Sequence, residues 1–233
     1  GTVGTIAINT TLYPKLPYRM PGSFLPITQF AEQANLVLVT ASLPALSLTQ
    51  LVALSKSQPG GLLFGSAGMG SGTHLGAEMF RLKSQAAMKH VPYKGAAAAA
   101  VAVSAGEVNV LFVSPVTALP FIRNGRLRAL AVTTQARLPQ LPNVPTVAES
   151  GYPGFAYGAW SGILAPAATP PEVIRLLHAR FVEVLRSDEI RDLVHKDGAT
   201  VVWSEDPKAF DKFIRDQIKT WEAVVRQTGV TIH

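Results

Sequence analysis

Short apolar strands and helical segments alternate along much of the chain, and this alternation constrains the fold more than any other feature. Runs rich in β-branched residues, such as Leu36–Thr40, are followed by segments with helical spacing and then by glycine or proline. The predicted strands are 36–40, 62–66, 91–93, 108–113, 127–133, 155–164 and 200–203. The predicted helices are 46–57, 73–84, 95–106, 116–124, 171–186, 188–195 and 207–228. Repeated strand–helix units predict an α/β fold with parallel-rich sheets and right-handed crossovers.

The composition supports a large buried core. Of the 233 residues, 48% are hydrophobic and 15% are charged, and there is no cysteine. This balance excludes a disordered tail, a coiled coil and a disulfide scaffold, and it favours sheets covered on both faces. The longest apolar run, 96–103, is far shorter than the roughly 18 residues that a membrane span needs. We therefore expect no direct membrane insertion.

The net charge of +6 is unevenly distributed. Residues 1–100 contain seven Lys/Arg and two acidic residues, whereas the rest of the chain is nearly balanced. The basic residues are scattered and form no dense stripe, so we expect no nucleic-acid binding. A small anion fits a mild positive field better.

The strongest local motif is a strand that leads through a loop of small residues into a helix. It reads Gly65-Ser66-Ala67-Gly68-Met69-Gly70-Ser71-Gly72-Thr73-His74. Glycines allow close approach to the backbone, and a helix start presents free N–H groups and partial positive charge. The motif predicts an anion site for a carboxylate or a phosphate; a flexible loop without ligand is the alternative. Because the spacing is not G-x-G-x-x-G and no Walker lysine follows, nucleotide binding is disfavoured.

Two further strand–helix junctions have the same character. Tyr93, Lys94 and Gly95 precede an alanine-rich helix, although Lys94 is more simply interpreted as an exposed side chain. Val113 and Ser114 precede a helix that starts with proline. Since ligands bind beyond the carboxyl ends of strands in open parallel sheets, the three junctions should converge.

Catalytic signals are weak. The five histidines lack metal-ligand spacing, and no G-x-S-x-G motif occurs. His74 fits a structural role better than that of a general base, and the first hundred residues contain only two acids. We expect no enzyme, no metal and no cofactor.

Several motifs, spread from end to end, resemble one receptor family. They are Thr5-Ile6-Ala7-Ile8-Asn9, the 65–75 loop, Val91-Pro92-Tyr93-Lys94-Gly95, the 125–133 segment, Leu141-Pro142-Asn143-Val144-Pro145, and Trp160-x-Gly162-x-Leu164-Ala165-Pro166. The chain resembles the Bug-type solute receptors of tripartite tricarboxylate transporters. The resemblance implies a periplasmic, two-lobed Venus-flytrap fold, type II-like, that captures a small carboxylate or dicarboxylate between the lobes for delivery to membrane permease subunits. The ligand-binding residues implied by the loops and the resemblance are Thr2, Gly4, Ser66, Ala67, Gly68, Met69, Gly70, Thr73, His74, Tyr93, Gly95, Val113 and Ser114.

The sequence departs from the family pattern in two places. It lacks the family's N-terminal segment, so lobe one, residues 1–37 plus 131–233, is expected to be incomplete, whereas lobe two, residues 38–130, is not. An incomplete sheet predicts an unpaired edge and self-association of the chain. Many family members have aspartate where Val113 stands here, which disfavours an amino acid ligand.

Two other functions stay open at this point. A sensing module would report the same ligand to a kinase, and no residue of the sequence distinguishes it from a transport receptor. An enzyme acting on a small acid would need a base, and the loops offer only His74 and hydroxyl groups.

Overall fold

A computed structural model of the chain describes residues 1–13, 15–196 and 198–230. Contacts group these residues into two units, one formed by 1–33 and 159–233 and the other by 34–158. Residues 131–158, which the sequence prediction placed in lobe one, group with the second unit. They do so because this segment bonds to the end of its sheet: Val132 N–H donates to Pro145 O at 2.8 Å and Val147 N–H to Val132 O at 2.9 Å.

The second unit is a five-stranded sheet in the order β4-β3-β5-β2-β6. Its strands are β2 (Leu36–Thr40), β3 (Leu62–Ser66), β4 (Met88–Pro92), β5 (Val110–Val113) and β6 (Leu127–Val132). Its helices are α2 (Leu48–Ser57), α3 (Gly72–Ser84), α4 (Ala96–Ala105) and α5 (Pro115–Arg123). The sequence predicted every one of these elements, with small differences at their ends.

Strand β2 is an exception to the parallel arrangement that the strand–helix alternation predicts. β3 pairs in parallel with β4 and β5, but β2 lies antiparallel to both β5 and β6. A strand–helix alternation does not determine which strands become neighbours, and β2 is separated from β3 by β5. The other four strands run in one direction, so the sheet is mixed in pairing.

Helices cover both faces of this sheet. On one face Leu36 and Leu38 of β2 share a core cluster with Ala99 and Val103 of α4. On the other face Phe80 of α3 packs against Phe112 of β5, with 5.7 Å between ring centroids. All five residues of β2 are therefore buried, which explains its uninterrupted β-branched and aliphatic sequence.

The first unit contains a three-stranded sheet in the order β7-β1-β8. The strands are β1 (Phe24–Ala34), β7 (Gly158–Pro166) and β8 (Thr200–Val201). A π-helical turn (Gly4–Ile8) runs into α1 (Asn9–Leu12), and α6 (Pro171–Leu185), α7 (Asp188–Lys196) and α8 (Pro207–Thr228) complete the unit. The sequence predicted no element before residue 36, so α1 and β1 were missed.

Helix α8 is amphipathic, as its sequence predicted. Its buried residues include Phe210, Ile214 and Trp221, and Asp206 caps its first turn by accepting a 2.7 Å bond from Ala209 N–H. Trp160 of β7 meets Phe210 edge-to-face at 5.8 Å. No helix within the described ranges is both long and apolar enough to cross a bilayer.

Candidate functional site

Three helices of the second unit begin at one end of its sheet, just beyond the carboxyl ends of parallel strands. β3 ends at Ser66, opposite Pro92 of β4, and its other neighbour β5 ends at Val113. α3, α4 and α5 follow these strand ends, with Ser71, Gly95 and Ser114 as their N-caps. The predicted convergence of the three junctions is therefore present. Their first-turn amides and aligned peptide dipoles favour negative charge at this end of the sheet.

The loop between β3 and α3 depends on two glycines. Gly68 has φ +127° and Gly70 has φ +72°, conformations that side chains with a Cβ rarely adopt. A Cβ on Gly68 would meet only Tyr93 O, at 3.6 Å. The conformation of the loop, rather than crowding, is what requires glycine at position 68.

The loop's hydroxyl groups bond to the loop itself. Thr73 Oγ1 accepts a 2.8 Å bond from Ala67 N–H, and Ser66 Oγ accepts a 3.1 Å bond from Gly68 N–H. Ser71 Oγ donates to Gly68 O at 2.7 Å and accepts from His74 N–H at 3.3 Å. These contacts fix the loop before any ligand arrives. The amides at the start of α3, on Gly72 and Thr73, precede the first intrahelical bonds and are the groups best placed to donate outward.

His74 is a buried structural residue. It is only 2% exposed, and its Nδ1 accepts a 3.0 Å bond from Gly70 N–H. Burial lowers the pKa of His74 to about 4, and the nearby His90 and Arg81 act in the same direction. The imidazole is thus neutral at pH 7 and braces the loop, in agreement with the structural role favoured by the sequence.

His90, which was not among the predicted site residues, belongs to the same cluster. Its ring stacks on that of His74 with centroids 3.7 Å apart, and Nε2 lies 2.6 Å from Ser66 Oγ. Phe64 lies beside both rings. His90 is opposite Phe64 in the β3–β4 register, so strand alternation could have indicated that both face α3.

Tyr157 was also missed, and it holds the start of α3. Its phenol donates a 2.8 Å bond to Gly72 O, and its ring covers Gly76 so closely that no Cβ fits there. Burial raises the pKa of this phenol, so it stays protonated and able to donate. The two glycines of α3 were the signal: a helix that contains Gly72 and Gly76 one turn apart leaves room for a large side chain.

The remaining predicted residues are placed as follows. Tyr93 N–H donates to Ser66 O at 3.0 Å, which ties the second junction to the loop. Ser114 Oγ lies 3.4 Å from Thr117 Oγ1 in the first turn of α5. Val113 is 1% exposed and belongs to the core cluster, whereas Met69 is 54% exposed at the tip of the loop.

Thr2 and Gly4 belong to the first unit. Thr2 forms an isolated antiparallel bridge with Ser161, and its amide donates to Thr5 Oγ1 at 3.0 Å. Gly4 opens the π-helical turn, and a Cβ there would meet Thr2 Oγ1 at 3.6 Å.

The site of the second unit offers hydrogen-bond donors rather than reactive groups. Its two imidazoles are bonded inward, and no group of three or more metal-binding side chains occurs among the residues that the structure describes. Such a site suits recognition of an anion by backbone amides.

Residues 2–230 match the TctC family, described as the tripartite tricarboxylate transporter family receptor. The chain belongs to this family. The family consists of periplasmic solute-binding receptors rather than enzymes. Among its relatives, Protein BugT of Bordetella pertussis is 34% identical over 227 residues, covering 97% of this chain and 69% of that protein.

Solved structures agree with the family assignment. An R. palustris protein with adipate superposes with a TM-score of 0.79 at 31% identity, covering 99% of this chain and 77% of that chain. MatC from Rhodopseudomonas palustris with bound malate gives a TM-score of 0.73 at 30% identity, covering 97% and 77%. The two-lobed α/β fold expected from the sequence is that of these receptors.

Proposed function

We propose that this receptor binds a small carboxylate or dicarboxylate and delivers it to the permease subunits of a tripartite tricarboxylate-type transporter. The observation that carries the proposal lies at the carboxyl ends of β3, β4 and β5 in the second unit, where three helices begin. The polar side chains of the loop before α3 are bonded within the loop, which leaves backbone amides to bind a ligand. Similar receptors have been solved with adipate and with malate, which are both dicarboxylates.

Such a site can supply the free energy of binding that a micromolar ligand requires. A charge-assisted hydrogen bond contributes about 1.5–3 kcal/mol, and a helix terminus contributes about 0.3–1 kcal/mol. Three or four such bonds reach the roughly 8 kcal/mol of a micromolar ligand. The lack of an aspartate at position 113 favours an acid without an amino group.

The first experiment is a thermal-shift screen of mono- and dicarboxylates, including adipate and malate, followed by calorimetric titration of the compounds that stabilise the protein. We expect at least one dicarboxylate to bind and to be recovered unchanged. Consumption of the compound would contradict a receptor, and the absence of binding by every acid would contradict the proposed ligand class.

A matched pair of variants tests the location of the site. Gly68→Leu should abolish binding, because it removes the loop conformation and fills the approach to the α3 amides. Gly106→Leu is the control, since Gly106 also has positive φ, +82°, but lies at the end of α4 with open space around it. Equal affinities in the two variants would show that the ligand binds elsewhere.

Delivery requires a separate test. Uptake of the labelled ligand should be measured in vesicles that contain the permease subunits, with and without the receptor. We expect uptake only with the receptor present; uptake that is independent of it would contradict the delivery step.

A further inference from the structure

A chain of hydrogen bonds runs from strand β4 into the glycine-rich loop. His90 Nε2 lies 2.6 Å from Ser66 Oγ, and Ser66 Oγ accepts a 3.1 Å bond from Gly68 N–H. Ser66 is fully buried, so its hydroxyl serves the loop and not the solvent. An imidazole on a neighbouring strand is thereby linked to the glycine whose backbone conformation shapes the loop.

The second imidazole holds the other half of the same loop. His74 Nδ1 accepts from Gly70 N–H at 3.0 Å, and the His74 and His90 rings are stacked with an interplanar angle of 17°. Each ring therefore bonds to one half of the loop and packs against the other ring. Together the two rings hold the backbone of Gly68 and Gly70 in place through these hydrogen bonds.

We infer that His90 is a positioning residue of the proposed carboxylate site: as a neutral imidazole it orients the Ser66 hydroxyl, and through it the Gly68 backbone, for ligand binding. This inference rests on the proposed function. It assigns the histidines a role as hydrogen-bonding groups and not as positive partners of the ligand's carboxylate.

The surroundings of the pair favour the neutral state. Arg81 on α3 faces His74 and is itself paired with Glu78 at 2.7 Å. A proton on either ring would place a cation against the stacked partner ring, and on His74 Nδ1 it would also remove the bond from Gly70 N–H. Burial lowers the pKa of His90 as well as that of His74.

Two variants of His90 separate hydrogen bonding from packing. His90→Gln keeps a polar group that can bond to Ser66, whereas His90→Phe keeps a flat ring for stacking but loses the bond. With adipate as the probe at pH 7.5, we expect His90→Phe to weaken binding about tenfold, since one hydrogen bond is lost from the loop. We expect His90→Gln to stay within about threefold of the wild type. Equal affinities in the two variants would overturn the inference.

The pH profile of the unmodified protein tests whether a charged imidazolium contacts the ligand. Between pH 8 and 6 the carboxylates of adipate stay largely ionised. We expect nearly constant affinity over this range, and ring-nitrogen NMR that shows both imidazoles neutral with His74 Nδ1 unprotonated. Affinity that rises as the pH falls to 6 would show that an imidazolium contacts the ligand, and would overturn the inference.

A measurement without ligand separates this inference from the proposed function. Hydrogen exchange of the Gly68 amide should be faster in His90→Phe than in His90→Gln. If no acid binds the wild type, the proposed function fails, while this comparison still shows whether His90 orients the Gly68 backbone. If adipate binds and Gly68 exchanges equally in both variants, only the positioning role fails.

Discussion

Replacing Gly76 by alanine tests the packing that holds the start of α3. A Cβ built on Gly76 lies 2.3 Å from Tyr157 Cε1 and 2.6 Å from Tyr157 Cδ1. Ordinary contact begins near 3.4 Å, so the ring must move by about 1 Å. Because Tyr157 is only 3% exposed, its ring is enclosed by other protein atoms and cannot simply swing into solvent.

Three terms set the size of the effect. Forcing an extra carbon into a packed core costs about 1–3 kcal/mol. Displacing the ring also weakens the hydrogen bond from the phenol to Gly72 O, which contributes about 1 kcal/mol to stability. Alanine offsets about 1 kcal/mol of this loss because its helix propensity is higher than that of glycine. We therefore expect Gly76→Ala to lower the free energy of unfolding by about 2 kcal/mol.

The assay is thermal unfolding followed by circular dichroism. A loss of about 2 kcal/mol corresponds to a fall of about 4–8 °C for a protein of this size. Tyr157→Phe serves as the control because it removes the hydrogen bonds of the phenol, to Gly72 O and with the Asn35 side chain, without adding a carbon atom. It should lose about 1–2 kcal/mol. If Gly76→Ala melts at or above the wild-type temperature, helix propensity outweighs packing and the reasoning is refuted.

Two further predictions concern pH and backbone contact. Because the pKa of His74 is about 4 in the folded protein and 6.5 for an unperturbed imidazole, its stabilisation is complete above pH 6.5 and is lost as the pH falls toward 4. Urea unfolding should show about 2–3 kcal/mol less stability at pH 4.5 than at pH 7.5 from this residue; parallel pH curves for wild type and His74→Asn would contradict it. Gly61→Ala should destabilise far more than Gly60→Ala in the same assay. Both glycines have positive φ, but a Cβ on Gly61 lies 2.3 Å from Ala87 O, whereas one on Gly60 meets only Lys89 Nζ at 3.7 Å; equal losses would show that strain alone matters.

The elements of the second unit could be predicted because their signals are local. β2 is a β-branched and aliphatic run that is buried on both faces, and Ser47 and Ser71 cap the helices that follow their turns. β1 has no such signal: its eleven residues include Pro26, Gln29 and Glu32, and their burial does not alternate. The antiparallel direction of β2 depends on pairing with strands more than seventy positions later in the chain, which no local pattern reports.

The glycine-rich loop before α3 could be predicted from the sequence, but its internal bonding could not. Glycines and serines after a strand indicated a loop for close approach, and the structure places them at the start of α3. Ser66 and Thr73 were predicted to bind the ligand, and in the structure their hydroxyl groups and that of Ser71 bond within the loop. Composition shows which polar groups are available but not which hydrogen-bond partners they have in the folded protein.

Because the loop's hydroxyl groups bond within the loop, its backbone amides are the donors left for a carboxylate. If backbone amides recognise the carboxylate, the recognition is set by the loop's conformation, which Gly68, His90 and Tyr157 maintain from within the second unit. Backbone amides distinguish charge and geometry at one end of a ligand but not the length or substitution of its body. Discrimination between acids such as adipate and malate must therefore come from other side chains, so variants of His90 or Tyr157 should weaken all acids in proportion and leave their order of affinity unchanged.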